Sequence, residues 1–295
     1  MSLEHNDWHG QTDGMPWMQR TLIKWLSVVD QRVIYGVMAV VICFYMLFCH
    51  RGYISMYHFF RRCRGERPLR AFCHVYANHF RFGQVVIDRF AAFGGRRFKF
   101  VFDNRAAYES LCRETDGFVQ VSCHMGNYEM AGYMLRQEQK WLYPLVFRDE
   151  KEVIMLNRQR LFLANHIEMV PVMADMSHIF ALNNALRDGN IVSMPADRVF
   201  GSTKALAVNF MGGVADLPIG PFQMAVTRDV RLVPIFVMKE RWDTYRIISR
   251  IFEPDATLPK RERMQRLAQE FADMMAEVIG RYPTQWFNYF EFVKK

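Results

Sequence analysis

His124 and Glu129 lie five positions apart in the stretch Phe118-Val-Gln-Val-Ser-Cys-His124-Met-Gly-Asn-Tyr-Glu129-Met-Ala-Gly. An imidazole titrates near neutral pH, so it is the side chain best suited to take a proton from a hydroxyl while that hydroxyl attacks a carbonyl. A carboxylate on the far ring nitrogen fixes the tautomer and stabilises the imidazolium. The spacing predicts that the histidine sits in a turn and that Glu129, returning from the first helical turn, accepts its ring proton. Such a pair suits transfer of an acyl group from a thioester to a hydroxyl. The substrate supplies the nucleophile there, and no serine or cysteine of the protein is needed. Spacing alone is weak support: nine histidines and 30 acidic residues give roughly one such pairing by chance. A histidine that only caps the turn would look the same.

The elements around the pair are those that usually carry chemistry. Residues 118–122 read as a buried strand, and small residues after the polar turn read as a helix start, a junction favoured by functional groups. Further β-rich runs fall at 141–147, 168–172, 191–194, 231–238 and 245–250. Helical patterns fill the gaps, at 177–187, closed by Gly189, and at 259–279, with Met264, Leu267, Phe271, Met274 and Val278 on one face. Alternating strands and helices predict an α/β sandwich built around one mixed sheet. Asp197 and Arg198 follow a strand end and are candidate binding residues for the same reason. In 210–220, three glycines and Pro218 let backbone approach backbone or ligand closely. Gly126 and Asn127 are placed to offer amides to a developing oxyanion.

The N-terminal part reads differently. Residues 1–18 are polar and loose, and 33–49 form an apolar run of 17 residues without a charge. That length touches the lower limit for crossing a bilayer, so a single span and a helix lying in one leaflet both remain open. No small-residue cleavage site follows, so a removed signal peptide is a poor fit. Residues 51–105 carry 12 Lys and Arg against Glu66, Asp88 and Asp103, a local +9 beside a whole-chain +8. A basic block next to an apolar run suits anionic lipid, whereas no nucleic-acid recognition motif accompanies it. The division is therefore 1–18 as a loose N-terminus, 19–70 as membrane-associated apolar and basic helices, and 71–295 as the catalytic domain. Six cysteines without a Cys-x-x-Cys pair indicate free thiols in a reducing compartment. A composition of 51% hydrophobic and 23% charged residues excludes a disordered chain.

His-Met-Gly-Asn-Tyr-Glu, 124–129, resembles the His-x-Gly-Asn-Trp-Glu form of the His-x4-Asp/Glu motif in the bacterial lipid A biosynthesis (lauroyl/myristoyl) acyltransferase family, of the lysophospholipid acyltransferase superfamily. Further likenesses follow in order. Met194-Pro-Ala-Asp197-Arg198 is similar to that family's Pro-Asp-x-Asp segment, and Phe210-Met-Gly-Gly-Val-Ala-Asp-Leu-Pro218-Ile-Gly220 to its glycine and proline block. Tyr282-Pro-Thr-Gln-Trp286 is similar to its closing Tyr-Pro-Glu-Gln-Trp. Four ordered motifs are far more specific than one.

The resemblance implies an enzyme at the cytoplasmic face of the inner membrane. Its donor would be acyl carrier protein or acyl-CoA, its acceptor an anionic lipid such as a lipid A precursor, with no cofactor or metal. It assigns catalysis to His124 and Glu129 and substrate contacts to Asn127, Asp197, Arg198 and an arginine that matches Arg158 or Arg160. An arginine fork suits a phosphate. Tyr128 stands where the family has tryptophan, Pro-Ala-Asp-Arg has one aspartate, and Phe-Asn-Tyr-Phe follows Trp286. Those departures leave a lysophospholipid or an aminoacyl lipid open as acceptor. A membrane-binding protein without enzyme activity is the reading from another class.

Overall fold

A computed structural model describes residues 25–26, 28–48, 50–130, 139–146, 166–173, 175–199 and 204–294. The segment expected to be loose, 1–18, together with Cys49, Arg148, Arg158 and Arg160, lies outside the described residues.

Helices come first. α1 (Gln31–Phe48) and α2 (His50–His58) lead through a π-helical turn, Phe59–Cys63, to α3 (Pro68–Phe93). Pro68 opens α3, where its fixed φ fits the helix and its missing N–H would have no partner anyway. α1 packs on α3 and buries Gln31, Tyr35 and Ile42. Its other face leaves Val33, Val37, Val40, Val41 and Phe44 exposed. No helix among the described residues is long and apolar enough to cross a membrane.

Strands and helices then follow among the described residues: β1 (Lys99–Phe102), α4 (Arg105–Arg113), β2 (Phe118–Ser122), β3 (Leu142–Val146), β4 (Val170–Pro171), α5 (Ser177–Arg187) and β5 (Ile191–Pro195). β6 (Ala205–Phe210), β7 (Gly213–Pro218), α6 (Ile219–Arg228), β8 (Leu232–Lys239), β9 (Thr244–Ser249) and α7 (Lys260–Arg281) complete the chain. Seven strands form one mixed sheet in the order β1-β9-β8-β2-β5-β3-β4. Among the described strands of this sheet, the β8 and β9 pair alone is antiparallel. The α/β fold around a single mixed sheet is the one the sequence predicts.

β2 and β8 lie at the middle of this sheet. They are buried almost throughout, which is why their sequences read as continuous apolar runs instead of alternating ones. Their side chains still divide by face with the two-residue period of a strand. Val119, Val121, Phe236 and Met238 enter one core with Phe222 of α6 and Phe271 of α7. Phe118, Val233, Ile235 and Val237 enter the other with Tyr108, Leu111 and Tyr245. The stripe read from sequence on α7 is buried at Leu267, Phe271, Met274 and Val278.

Residues 210–220 hold a hairpin turn and its second strand. β6 and β7 form an antiparallel hairpin, with Met211 and Gly212 at φ 47° and 82° in its turn. Positive φ at both central residues matches the twist of the paired strands. Gly213 does serve close backbone approach, since a Cβ there would come 2.6 Å from the Lys294 carbonyl oxygen.

Candidate active site

β2 and β5 are parallel neighbours, with Ser122 opposite Pro195. Two residues further along each chain come His124 and Asp197, so the register of the strands carries these two side chains to the same end of the sheet. Ala196 N–H donates to the Ser122 carbonyl at 2.8 Å and holds the strand ends together. The Asp197 carboxylate then binds His124 twice: it accepts the backbone N–H at 2.8 Å and faces ring Nδ1 at 2.9 Å. Asp197 is 2% exposed, whereas the His124 side chain is 25% exposed. Nδ1–H donating to a carboxylate leaves the lone pair on Nε2, the nitrogen able to take a proton from a substrate.

Burial alone would raise the Asp197 carboxyl. The charge and hydrogen bonds of His124, helped by Arg198, outweigh it and hold the group below the usual carboxylate range. Cys123, next in the chain, behaves oppositely. Burial, reinforced by the Asp197 charge, pushes its thiol well up, so it stays protonated and is no nucleophile.

Glu129 does not occupy the position the spacing predicted. Its carboxylate accepts from Arg89 of α3, and the acid behind His124 is Asp197. The reason is the strand register: Asp197 leaves its strand level with His124 and is pinned by the histidine's own amide, whereas Glu129 lies beyond the turn within reach of Arg89 of α3. The amides proposed for an oxyanion are likewise engaged. Gly126 N–H donates to the Gln285 carbonyl at 2.8 Å and Asn127 N–H to the Val237 carbonyl at 2.7 Å. The Asn127 side chain is 1% exposed and points inward, its Nδ2 donating to Val85 O at 3.5 Å and Tyr245 Oη at 3.4 Å. In this arrangement Asn127 shapes the turn from within.

The C-terminal segment closes over the same turn. Phe287 N–H donates to the His124 carbonyl at 2.8 Å, and Met125 bridges Trp286. Trp286 is fully buried among Phe59, Phe210 and Phe292, with ring centroids 4.8, 5.8 and 5.2 Å away. Gln285 locks onto β8 by a two-way amide pair with the Lys239 backbone, at 2.8 Å in each direction. Reading Tyr282-Pro-Thr-Gln-Trp286 only as a motif left this clamp unseen. Its signal was present, because a tryptophan and a glutamine in one short polar segment need buried partners.

Gly126 is obligatory in the turn. It sits at φ 58°, and a Cβ would come 2.1 Å from the Val237 carbonyl oxygen. Arg198, beside Asp197, donates to the Phe287 carbonyl at 3.3 Å and lies over the Phe290 ring at 5.6 Å. Tyr128 meets the His124 ring edge-on at 5.6 Å. Arg89 joins the site from α3 and was not singled out in the sequence, where it is one of many arginines. Arg158 and Arg160 fall outside the described residues; of the rest of the expected set the structure joins His124 to Asp197, with Arg198 next to that acid, while Glu129 pairs with Arg89 and the Asn127 side chain faces inward. No group of side chains suited to a metal occurs among the described residues.

A histidine backed by a buried carboxylate at the strand ends of an α/β sheet has the parts of a general base with its orienting acid. The sequence model of the bacterial lipid A biosynthesis acyltransferases matches residues 96–291, well over half of the chain, and the protein belongs to that family. It is an acyltransferase acting on lipids. No curated protein sequence matches the chain significantly. Among solved structures it is similar to the 1-acyl-sn-glycerophosphate (LPA) acyltransferase PlsC from Thermotoga maritima, at 12% identity over 83% of this chain and 98% of that one. The TM-score of 0.41 makes that likeness too loose to carry an argument.

Proposed function

We propose that this acyltransferase moves a fatty acyl chain from acyl carrier protein, or acyl-CoA, to a hydroxyl of a lipid A precursor, with His124 as general base. The observation that supports it most is the Nδ1 contact of His124 with buried Asp197, made by a side chain that is itself 25% exposed; an Nδ1–H donated to that carboxylate puts the ring's lone pair on Nε2. In the proposed reaction Nε2 takes the proton of the acceptor hydroxyl as its oxygen bonds to the thioester carbonyl carbon. The tetrahedral intermediate collapses by breaking the carbon–sulfur bond, and the imidazolium returns its proton to the departing thiolate. Asp197 keeps its charge throughout and stabilises the imidazolium.

The exposed apolar face of α1 and the basic residues Arg61, Arg62, Arg67 and Arg70 support docking on the cytoplasmic face of an anionic inner membrane. Arg198 beside the histidine favours an acceptor with a phosphate, and Arg158 and Arg160 are proposed to add to that demand. The test offers purified protein one acyl carrier protein donor with a lipid A precursor, a lysophospholipid or an aminoacyl lipid. Preference for the lipid A precursor is expected. Preference for the lysophospholipid would overturn the choice of acceptor, and loss of thioester without any acylated lipid would overturn transfer itself.

A further inference from the structure

A second polar cluster lies behind the catalytic turn, wholly inside the protein. Its centre is Asp88 of α3, fully buried and paired with the equally buried Lys239 at the end of β8. Asp88 also accepts from the hydroxyls of Tyr35 and Tyr245 and from Gln31 Nε2. Lys239 donates to the Trp242 carbonyl at 3.0 Å and lies 4.8 Å from the Tyr245 ring centre. Removing two charges from water costs several kcal/mol per ion, and hydrophobic replacements of such pairs are often no less stable. Stability alone is therefore a weak reason for the cluster to be here.

Its position supplies a better one. Tyr245 Oη donates to Asp88 and accepts from Asn127 Nδ2 at 3.4 Å. Burial first, then the Asp88 charge, raises the Tyr245 hydroxyl well above its ordinary range, so it remains a neutral donor that can serve both neighbours. Arg89, the next residue on α3, holds Glu129, and Val85, one turn earlier, accepts from Asn127 Nδ2. One stretch of α3 thus grips the turn at Asn127 and at Glu129. Nothing else in the chemistry of His124 requires a charge at 88.

We propose that Tyr245, anchored by Asp88, is a positioning residue for acyl transfer: it fixes Asn127 and through it the turn that aims His124. This rests on the reading of His124 as the base.

Tyr35 provides an internal control, since its hydroxyl also ends on Asp88 but does not touch Asn127. Tyr245→Phe and Tyr35→Phe each remove one hydroxyl from the same carboxylate and should lower the denaturation midpoint by similar amounts. Two readouts separate them. Hydrogen exchange of the Gly126 and Asn127 amides, followed in the full chain in detergent, should speed up by about tenfold in Tyr245→Phe and stay at the wild-type rate in Tyr35→Phe, as expected for loss of one buried hydrogen bond. With an acyl carrier protein thioester and a lipid A precursor, Tyr245→Phe should lower kcat by a similar factor with KM within about twofold, and Tyr35→Phe should keep both. Equal exchange in the two variants, or equal kcat, would overturn the proposal. If the wild-type protein transferred to no acceptor, the functional reading would fall, and the exchange comparison would still decide the positioning.

Discussion

The Asp197 carboxylate binds His124 at two points, its backbone amide and its ring Nδ1, because both residues stand two positions beyond the ends of adjacent parallel strands. A carboxylate held in this way fixes where the histidine is and which nitrogen carries the proton.

Asp197→Asn should therefore be more damaging than Glu129→Gln, the reverse of what the spacing in the sequence suggests. The asparagine removes the charge behind the imidazolium and can hold the wrong tautomer, an effect on the order of 10²- to 10⁴-fold in kcat. Glu129→Gln loses an ion pair with Arg89 and should cost less. Steady-state kinetics of the two variants, with circular dichroism to confirm folding, checks the order. A larger loss for Glu129→Gln would return the orienting role to Glu129.

His124→Ala should abolish transfer in a folded protein, since a positioned general base contributes about 10²- to 10⁴-fold. The neighbouring thiol cannot substitute, being held protonated by burial. Activity retained in the folded variant would remove His124 from the mechanism.

The depressed Asp197 carboxyl makes a signed prediction for acid stability. A group lowered on folding stabilises the native state fully above its unfolded value, about 3.9 for aspartate, and loses that contribution as pH falls through its lower folded value. The stability advantage of wild type over Asp197→Asn should be constant at mildly acidic pH and shrink below about pH 4. Urea midpoints measured across that range test it, and a gap that widened towards acid would contradict the direction.

Gly126→Ala should destabilise the turn by at least about 1 kcal/mol, because it adds strain at positive φ to a clash with the Val237 carbonyl. A thermal melt with no drop would show that the turn has room to shift. The same variant should lose activity at temperatures where it stays folded, since the clash lies two residues from His124.

The proposed membrane attachment should resist salt and yield to charge on α1. Burying the exposed Val37, Val41 and Phe44 in a bilayer would not be screened by ions, whereas the arginine contribution would be. Val37→Asp with Val41→Asp should release the protein from anionic vesicles in a flotation assay. Full release of the wild type by high salt alone would exclude an apolar anchor.

Much was set locally. Apolar runs bounded by turn residues marked β2, β5 and β8, and the stripe on α7 followed from spacing of three and four residues, because strand and helix periods are properties of neighbouring positions. His124, Asp197 and Arg198 were legible as candidates since each follows a strand. Their pairing was not. His124 and Asp197 are 73 residues apart, and only the choice of β5 as parallel neighbour of β2 puts them level. A rule that looks five positions ahead finds Glu129, while α3 brings Arg89 to that acid from 40 residues before it. Asn127 was likewise assigned to the substrate, by the resemblance and as an amide for a developing oxyanion. The core turns it inward, where Tyr245 and Val85, brought there by β9 and α3, supply the partners that a buried amide needs.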